Sequence, residues 1–330
     1  MLDNINALLS GMIMPVLLLG CGLLFSSYLH FFWIVHPVKF FRSLKKGLTG
    51  GGQTPFKAMT VALAGTLGVG NIAGVASAIV AGGAGAVFWM WVSALLAMGV
   101  KYAEVALAVA HRRKNADGIF GGAMYYMSDM LSPRLGGFFA LLCLANSLVT
   151  GNIVQSNAAA AVYSERIPPI AVGAVMWVVP LAVMLGSLRR ISDVTVKLIP
   201  FLSGVYILLS LYIIFANTER LPGIFADIFG SAFSLKAAAG GAGGFALSRA
   251  VRFGVTRGIL SNEAGCGTAP TAHASANTNS PHDQGIFGIF EVFADTVVIC
   301  TLTAIVILLL GDGRGEDGVR LSVLAYGTFA

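Results

Sequence analysis

Seven consecutive residues, Gly65-Thr66-Leu67-Gly68-Val69-Gly70-Asn71, place three glycines, a hydroxyl and an amide in the middle of an apolar run from about Phe56 to Val80. Glycine weakens a helix by about 1 kcal/mol relative to alanine, and an unpaired backbone group in hydrocarbon costs several kcal/mol more. Gly70 and Gly74 alone, four apart, would read as a seam for close helix packing. The density of glycines and their polar company predict instead a helix broken at mid-membrane. One half-helix then offers free N–H groups and its positive dipole end to an anion, and the other offers free carbonyls to a cation. The chemistry available is that of a carboxylate held beside a small metal ion, with Thr66, Gly68, Val69 and Gly70 on the anion.

Other polar positions fall inside apolar runs. Gly240-Gly241-Ala242-Gly243-Gly244-Phe245 opens a later apolar run. Glycine-interrupted segments at corresponding places in two halves of a chain point to a transporter site. Gly240, Gly241 and Gly244 are therefore candidates, and Phe245 reads either as a cap on a bound group or as ordinary core. Gln155 lies near the centre of its run and reads either as an interhelical hydrogen bond or as a binding group. Glu291 and Asp295 are four apart and share a helix face, on the order of 9 and 15 Å from Gly285 along the axis. Ionisable groups at that depth are functional candidates. Repulsion between them predicts that Glu291 carries a proton. Lys101 and Glu104, three apart, read as an internal pair with the lysine snorkelling to an interface. Arg249, Arg252 and Arg257 run toward Glu263, where an ion pair would make an inner gate.

The elements that must hold these residues follow from composition. Of 330 residues 56% are hydrophobic and only 11% charged, whereas soluble domains carry roughly a quarter charged residues. The chain reads as an all-α integral membrane protein, so its net charge of +6 is no argument for a nucleic-acid partner. Eight stretches have the length and apolarity of a spanning helix: 12–35, 55–81, 85–110, 136–162, 168–187, 194–216, 236–260 and 285–310. Fifteen lysines and arginines flank one side of these spans and five the other, which puts the amino terminus outside. The start MLDNINALLSG lacks a basic region, so a retained first helix is expected. Leu321 to Ala330 reads as the beginning of a ninth helix. The four cysteines form no CxxC and the five histidines no HxxxH, which argues against a metal cluster. No nucleophile stands beside a base at catalytic spacing, so an enzyme is not expected, and no repeated filter sequence suggests a channel.

Four stretches together resemble the alanine or glycine:cation symporter family, the sodium:alanine symporters. They are GTLGVGNIAGVA at 65–76, GGAGAVFWMWVSALLAMGVKYAE at 82–104, GGAMYYM at 121–127, and SNEAGCGTAP at 261–270 followed by Asp295-Thr296. Ala97 departs from that family's usual glycine, and Ala239 from an expected aromatic. The resemblance implies an inverted-repeat amino-acid:sodium symporter fold in one transmembrane domain. An extra helix and loop would occupy 1–50, a five-helix repeat 51–220, and an incomplete second repeat 221–330. It implies sodium-coupled uptake of a small neutral amino acid, alanine or glycine, across a bacterial-type cytoplasmic membrane, with Na+ as the co-transported ion. Gln155 would hold substrate. Asn71, Asp295 and Thr296 would serve sodium, and by analogy with the fold so would the carbonyls of Ala64, Thr66 and Leu67. The alternatives are a proton-coupled carrier and a shortened, transport-deficient relative.

Overall fold

The computed structural model describes residues 13–48, 54–115, 118–163, 167–185, 188–233, 242–310 and 318–329. It is built from helices; among the described residues the strands are two short ones, β1 (Arg113–Asn115) and β2 (Gly118–Phe120), paired antiparallel with Lys114 opposite Ile119. They lie between the expected spans 85–110 and 136–162.

Helix α1 (Met14–Tyr28) ends where His30 and Phe31 take left-handed backbone angles, so the expected 12–35 span is divided. A single turn, α2 (Phe32–Val35), and an amphipathic helix, α3 (Pro37–Lys46), follow. Phe40 and Leu44 of α3 are buried while Lys45 and Lys46 close its last turn, where cations complement the helix dipole. Helix α4 (Pro55–Thr66) starts with two signals legible in the sequence: Pro55 at the first position and Thr54, whose hydroxyl accepts from Lys57 N–H at 3.2 Å. After a three-residue break the chain resumes as α5 (Gly70–Gly82), bent 59° from α4.

The 26-residue α6 (Gly85–Ala110) is the central pillar. Helix α7 (Ala123–Met130) is short, and α8 (Pro133–Tyr163), α9 (Pro169–Met184) and α10 (Leu188–Ala216) follow it. Large apolar side chains on α8 and α9, such as Leu141 and Trp177, are more than half exposed. A monomer in water rarely shows so broad an apolar face, and lipid accounts for it. Helices α11 (Leu221–Ala232), α12 (Ala242–Asn262), α13 (Ala269–Ala274), α14 (Pro281–Leu310) and α15 (Gly318–Phe329) complete the chain.

Among the described residues, four helices are long and apolar enough to cross a bilayer: α6, α8, the Arg190–Ala216 part of α10, and α14. The bent pair α4–α5 makes a fifth. Two more of the eight expected spans, α1 and α9, are apolar helices of 15 and 16 residues. Helix α12 covers much of the expected 236–260 span and carries Arg249, Arg252 and Arg257.

Packing against α6 relies on missing side chains. A Cβ on Gly254 of α12 would lie 2.7 Å from Trp89 Cβ, and one on Gly258 would press on Met90 and Ser93. The small-xxx-small seam is therefore Gly254/Gly258, not Gly70/Gly74: Gly74 has open space around it. Gly285 of α14 lies against the Tyr102 ring and Gly288 against Lys101. Two apolar clusters fill the interior. One joins α1, α3, α4, the middle of α6 and the first half of α14, around Met59, Met98 and Phe287. The other joins α5, the start of α6, α10, α11, α15 and the last part of α14, around Ile213, Ile228 and Leu309. Between them, along α14, lies a polar belt.

Candidate binding site at the helix break

The break falls at Leu67, Gly68 and Val69, where the glycines made it expected. Leu67 leaves helical geometry with ψ of 100°, and α5 opens on a widened π turn, Gly70–Gly74. In a continuous helix the N–H groups of Gly68, Val69 and Asn71 would serve the carbonyls of Ala64, Gly65 and Leu67. Here they turn elsewhere. Gly68 N–H donates to Asn71 Oδ1 at 3.0 Å, Val69 N–H to Gln155 Oε1 at 3.1 Å, and Asn71 N–H to Gly68 O at 3.2 Å. Two consecutive backbone donors thus point at two side-chain oxygens, the arrangement a carboxylate would otherwise satisfy. Gln155 follows directly on a second π turn, Val149–Val154, and its amide lies so close to Gly68 that a Cβ there would come within 2.8 Å of Oε1.

Asn71 faces both ways. Its Oδ1 caps Gly68, and its Nδ2 donates to Asp295 Oδ1 at 2.8 Å and to Ser261 Oγ at 2.9 Å. Asp295 and Thr296 are fully buried in a third π stretch, Phe293–Cys300, within α14. The Asp295 carboxylate also accepts from Ser261 Oγ at 2.6 Å and from Thr296 Oγ1 at 2.8 Å. Asn262 Nδ2 in turn donates to Thr296 Oγ1 at 3.1 Å. Among the described residues no lysine, arginine or histidine pairs with Asp295. A buried carboxylate surrounded only by neutral donors has no counter-charge of its own among the described residues, and a bound cation would supply one. Its hydroxyl and carboxylate oxygens are the hard ligands a small alkali cation takes. Asn71 presents its nitrogen to this cluster and its oxygen to the break.

Ser261 and Cys300 join the cluster without a signal of their own. Ser261 sits at the end of α12 inside the SNEAGCGTAP motif, and Gly70 lets it approach: a Cβ on Gly70 would stand 3.2 Å from Ser261 Cα. Of the remaining predicted positions, Thr66 is buried at the end of α4 with Oγ1 toward Leu63 O, and Ala64 is half-buried on the same helix. Gly240 and Gly241 lie outside the described residues. Gly244 and Phe245 fall in the first turns of α12, where the backbone alone is described.

Cavities flank the break. One of about 300 Å³ is walled by Thr66, Val69, Gly70, Gln155, Arg257 and Glu263. Another, of about 180 Å³, is walled by Gly68, Asn71, Ser203, Tyr206 and Ile299 among others. Glu263, expected to bridge to the arginines of α12, accepts instead from Thr268 Oγ1 at 2.5 Å; among the described residues it forms no ion pair. Its left-handed φ of 52° turns the chain away from the helix, so its carboxylate meets the following loop and not the arginines behind it.

The internal Lys101–Glu104 pair expected from their spacing forms, but two other expectations are corrected. Lys101 does not snorkel: it is fully buried, with Nζ 3.6 Å from Glu104 Oε1 and 3.4 Å from Glu291 Oε1. Glu291, expected to share repulsion with Asp295 and to carry a proton for that reason, faces Lys101 and also His273 Nε2 at 2.8 Å. Both partners come from other helices: Lys101 supplies the counter-charge and the His273 ring a hydrogen bond.

The chain is similar to known transporters over most of its length. YflA of Bacillus subtilis (strain 168), a transporter without an assigned substrate, is 38% identical over 96% of this chain and 69% of its own length. YaaJ of Escherichia coli (strain K12), likewise described only as a transporter, is 39% identical over 96% of this chain and 69% of its own. The sodium/alanine symporter AgcS of Methanococcus maripaludis is 37% identical over 94% of this chain and 70% of its own. The profile of the sodium:alanine symporter family matches residues 1–328. A broken apolar helix, a buried carboxylate set among neutral donors and a family match over nearly the whole sequence agree: this multi-pass membrane chain belongs to the sodium:alanine symporter family, in which sodium is the co-transported ion.

Proposed function

We propose that the chain carries a small neutral amino acid, alanine or glycine, into the cell together with sodium by alternating access, in a bacterial-type cytoplasmic membrane with its amino terminus outside. Family membership supports sodium/amino-acid symport, and the name of the archaeal relative supports alanine. The observation that carries the placement is the pair of N–H groups at Gly68 and Val69, each turned onto a side-chain oxygen. A substrate carboxylate entering the cavity beside Val69 and Gly70 replaces Gln155 Oε1, and Gln155 then holds the bound molecule from the side. Thr66 and Gly70 line the same space, which has little side-chain bulk. Gly240, Gly241, Gly244 and Phe245 are assigned to the substrate from their glycine-rich sequence and the family resemblance alone. Sodium sits with Asp295 and Thr296, and Ser261 adds a hydroxyl. The carbonyls of Ala64, Thr66 and Leu67 turn toward it as the break opens. Asn71 joins the two sites, so each ligand raises the other's affinity, and by linkage the effect is reciprocal.

The test is uptake of radiolabelled alanine by proteoliposomes holding the purified chain. Uptake that follows an inward sodium gradient, and is competed by glycine but not by leucine, is the expected result. Uptake indifferent to sodium would remove the coupling.

A further inference from the structure

We propose that the buried cluster of His273, Glu291, Lys101 and Glu104 is a proton-binding site, and that His273 Nδ1 is the atom that takes the proton. The inference goes beyond sodium symport and rests on it only where uptake is the readout.

The tautomer of His273 is fixed by its neighbours. Gln284 Nε2 lies 3.3 Å from Pro55 O and 2.7 Å from His273 Nδ1. A carbonyl can only accept, so Gln284 Nε2 is the donor there, and it donates to Nδ1 as well. Nδ1 therefore carries no hydrogen. The ring hydrogen is on Nε2 and is donated to Glu291 Oε2. His273 is neutral in this state and fully buried.

Charge counting then leaves room for one proton. Lys101 brings one positive charge; Glu104 and Glu291 bring two negative ones, all within one ion-paired group. The cluster is left with one excess negative charge, which is costly without water. Neither carboxylate is built to take the missing proton. Glu291 is met by Lys101 and by His273 Nε2–H, and Glu104 Oε2 accepts from Gly265 N–H at 3.2 Å. Protonating Glu291 would oppose donors already aimed at it; Glu104 Oε1 is buried without a hydrogen-bond partner, so a proton there would meet no acceptor. The His273 Nδ1 lone pair accepts only from the neutral Gln284 amide. The same amide carries the acceptor the protonated ring needs: Gln284 Oε1 is buried and has no hydrogen-bond partner. One proton added at Nδ1 and one turn of the Gln284 amide give Nδ1–H donating to Oε1, leave Nε2–H on Glu291, and bring the cluster to neutrality. The turn also releases Pro55 O at the start of α4, the helix that leads to the break.

The groups facing the cluster from its surroundings are few. Tyr126 stands toward Glu104, and Glu263 and Cys266 toward Lys101. Asp295 lies one turn along α14 from Glu291. The Arg112 guanidinium is spent on the carbonyls of Ala274, Ala276 and Thr278, beside the end of α13. Lys57 of α4 pairs with Asp193. None of these supplies a second base against His273.

Two measurements test the site. In the full chain labelled with 15N-histidine, with His30, His36, His111 and His282 replaced by Gln, His273 is the one histidine observed. Nitrogen shifts passing from a ring protonated at Nε2 alone to a doubly protonated ring as the pH is lowered are expected. A ring that keeps one proton throughout overturns the proposal. In proteoliposomes, alanine uptake is expected to vary with pH, and His273→Gln to lose that variation while keeping its sodium dependence. An unchanged pH profile in His273→Gln overturns the proposal. Should the chain show no sodium-driven uptake at all, the symport reading falls and the nitrogen shifts still decide the proton site.

Discussion

Helix α14 carries two buried acids one turn apart, and they are solvated in opposite ways. Glu291 is met by an ammonium and an imidazole from other helices. Asp295 is met by an amide and two hydroxyls. The first faces a cation directly; the second has none among the described residues. In a low-dielectric interior that difference separates a carboxylate suited to holding helices together from one suited to a mobile cation of the kind proposed above. Depth in the membrane, which the two share, does not separate them. Their partners do.

The largest effect should come from Glu291→Gln. It leaves Lys101 buried with a weakened counter-charge, and removing one partner of a buried pair costs roughly 3 kcal/mol or more. Thermal unfolding in detergent would show it. If Glu291→Gln unfolds like the parent, the contrast between the acids disappears. Asp295→Asn should do the reverse: near-parental unfolding, because the amide oxygen still accepts from a hydroxyl, but sodium-stimulated uptake reduced about 100-fold, or roughly 3 kcal/mol. Wild-type sodium dependence in that variant would move the ion elsewhere. Gly68→Ala sets a methyl against the Gln155 amide, an overpacking cost of about 1–3 kcal/mol. Substrate affinity should fall accordingly and recover in part when Gln155→Ala makes room; no recovery would separate Gln155 from the break.

The smallest effect marks the edge of the comparison, outside the membrane. Asp129 accepts from His111 Nδ1 and Arg113, and these hydrogen bonds hold its carboxyl below the usual range. A carboxyl depressed in the folded state stabilises it above the ordinary carboxylate range and loses that contribution as pH falls. The unfolding midpoints of wild type and Asp129→Asn should differ slightly at neutral pH and converge in acid. A gap that widened in acid would reverse the sign.

Local features of the sequence located much of this. The break needed only the composition of residues 65–71, because glycine density and polar side chains act on the backbone they belong to. The starts of α4 and α6 were similarly legible from the apolar runs 55–81 and 85–110. What could not be read were partners. Lys101 and Glu291 are separated by most of the chain, and nothing near either residue announces the other. Glu291 was therefore judged against Asp295, its neighbour along the helix, and assigned a proton its true surroundings do not call for. Ser261 reached the candidate cation cluster for the same reason unannounced: its role depends on Gly70 letting α12 close in.

A planar amide fastened at both ends cannot turn at one end alone. Asn71 ties the vestibule where cargo would arrive to the carboxylate where the ion would rest, through two bonds of a single rigid group. Drawing its oxygen off Gly68 swings its nitrogen across Asp295, and the reverse swing follows from the other side. Slippage, in which the ion passes through without its passenger, would require that side chain to let go on one side while standing still on the other, a motion its geometry does not contain.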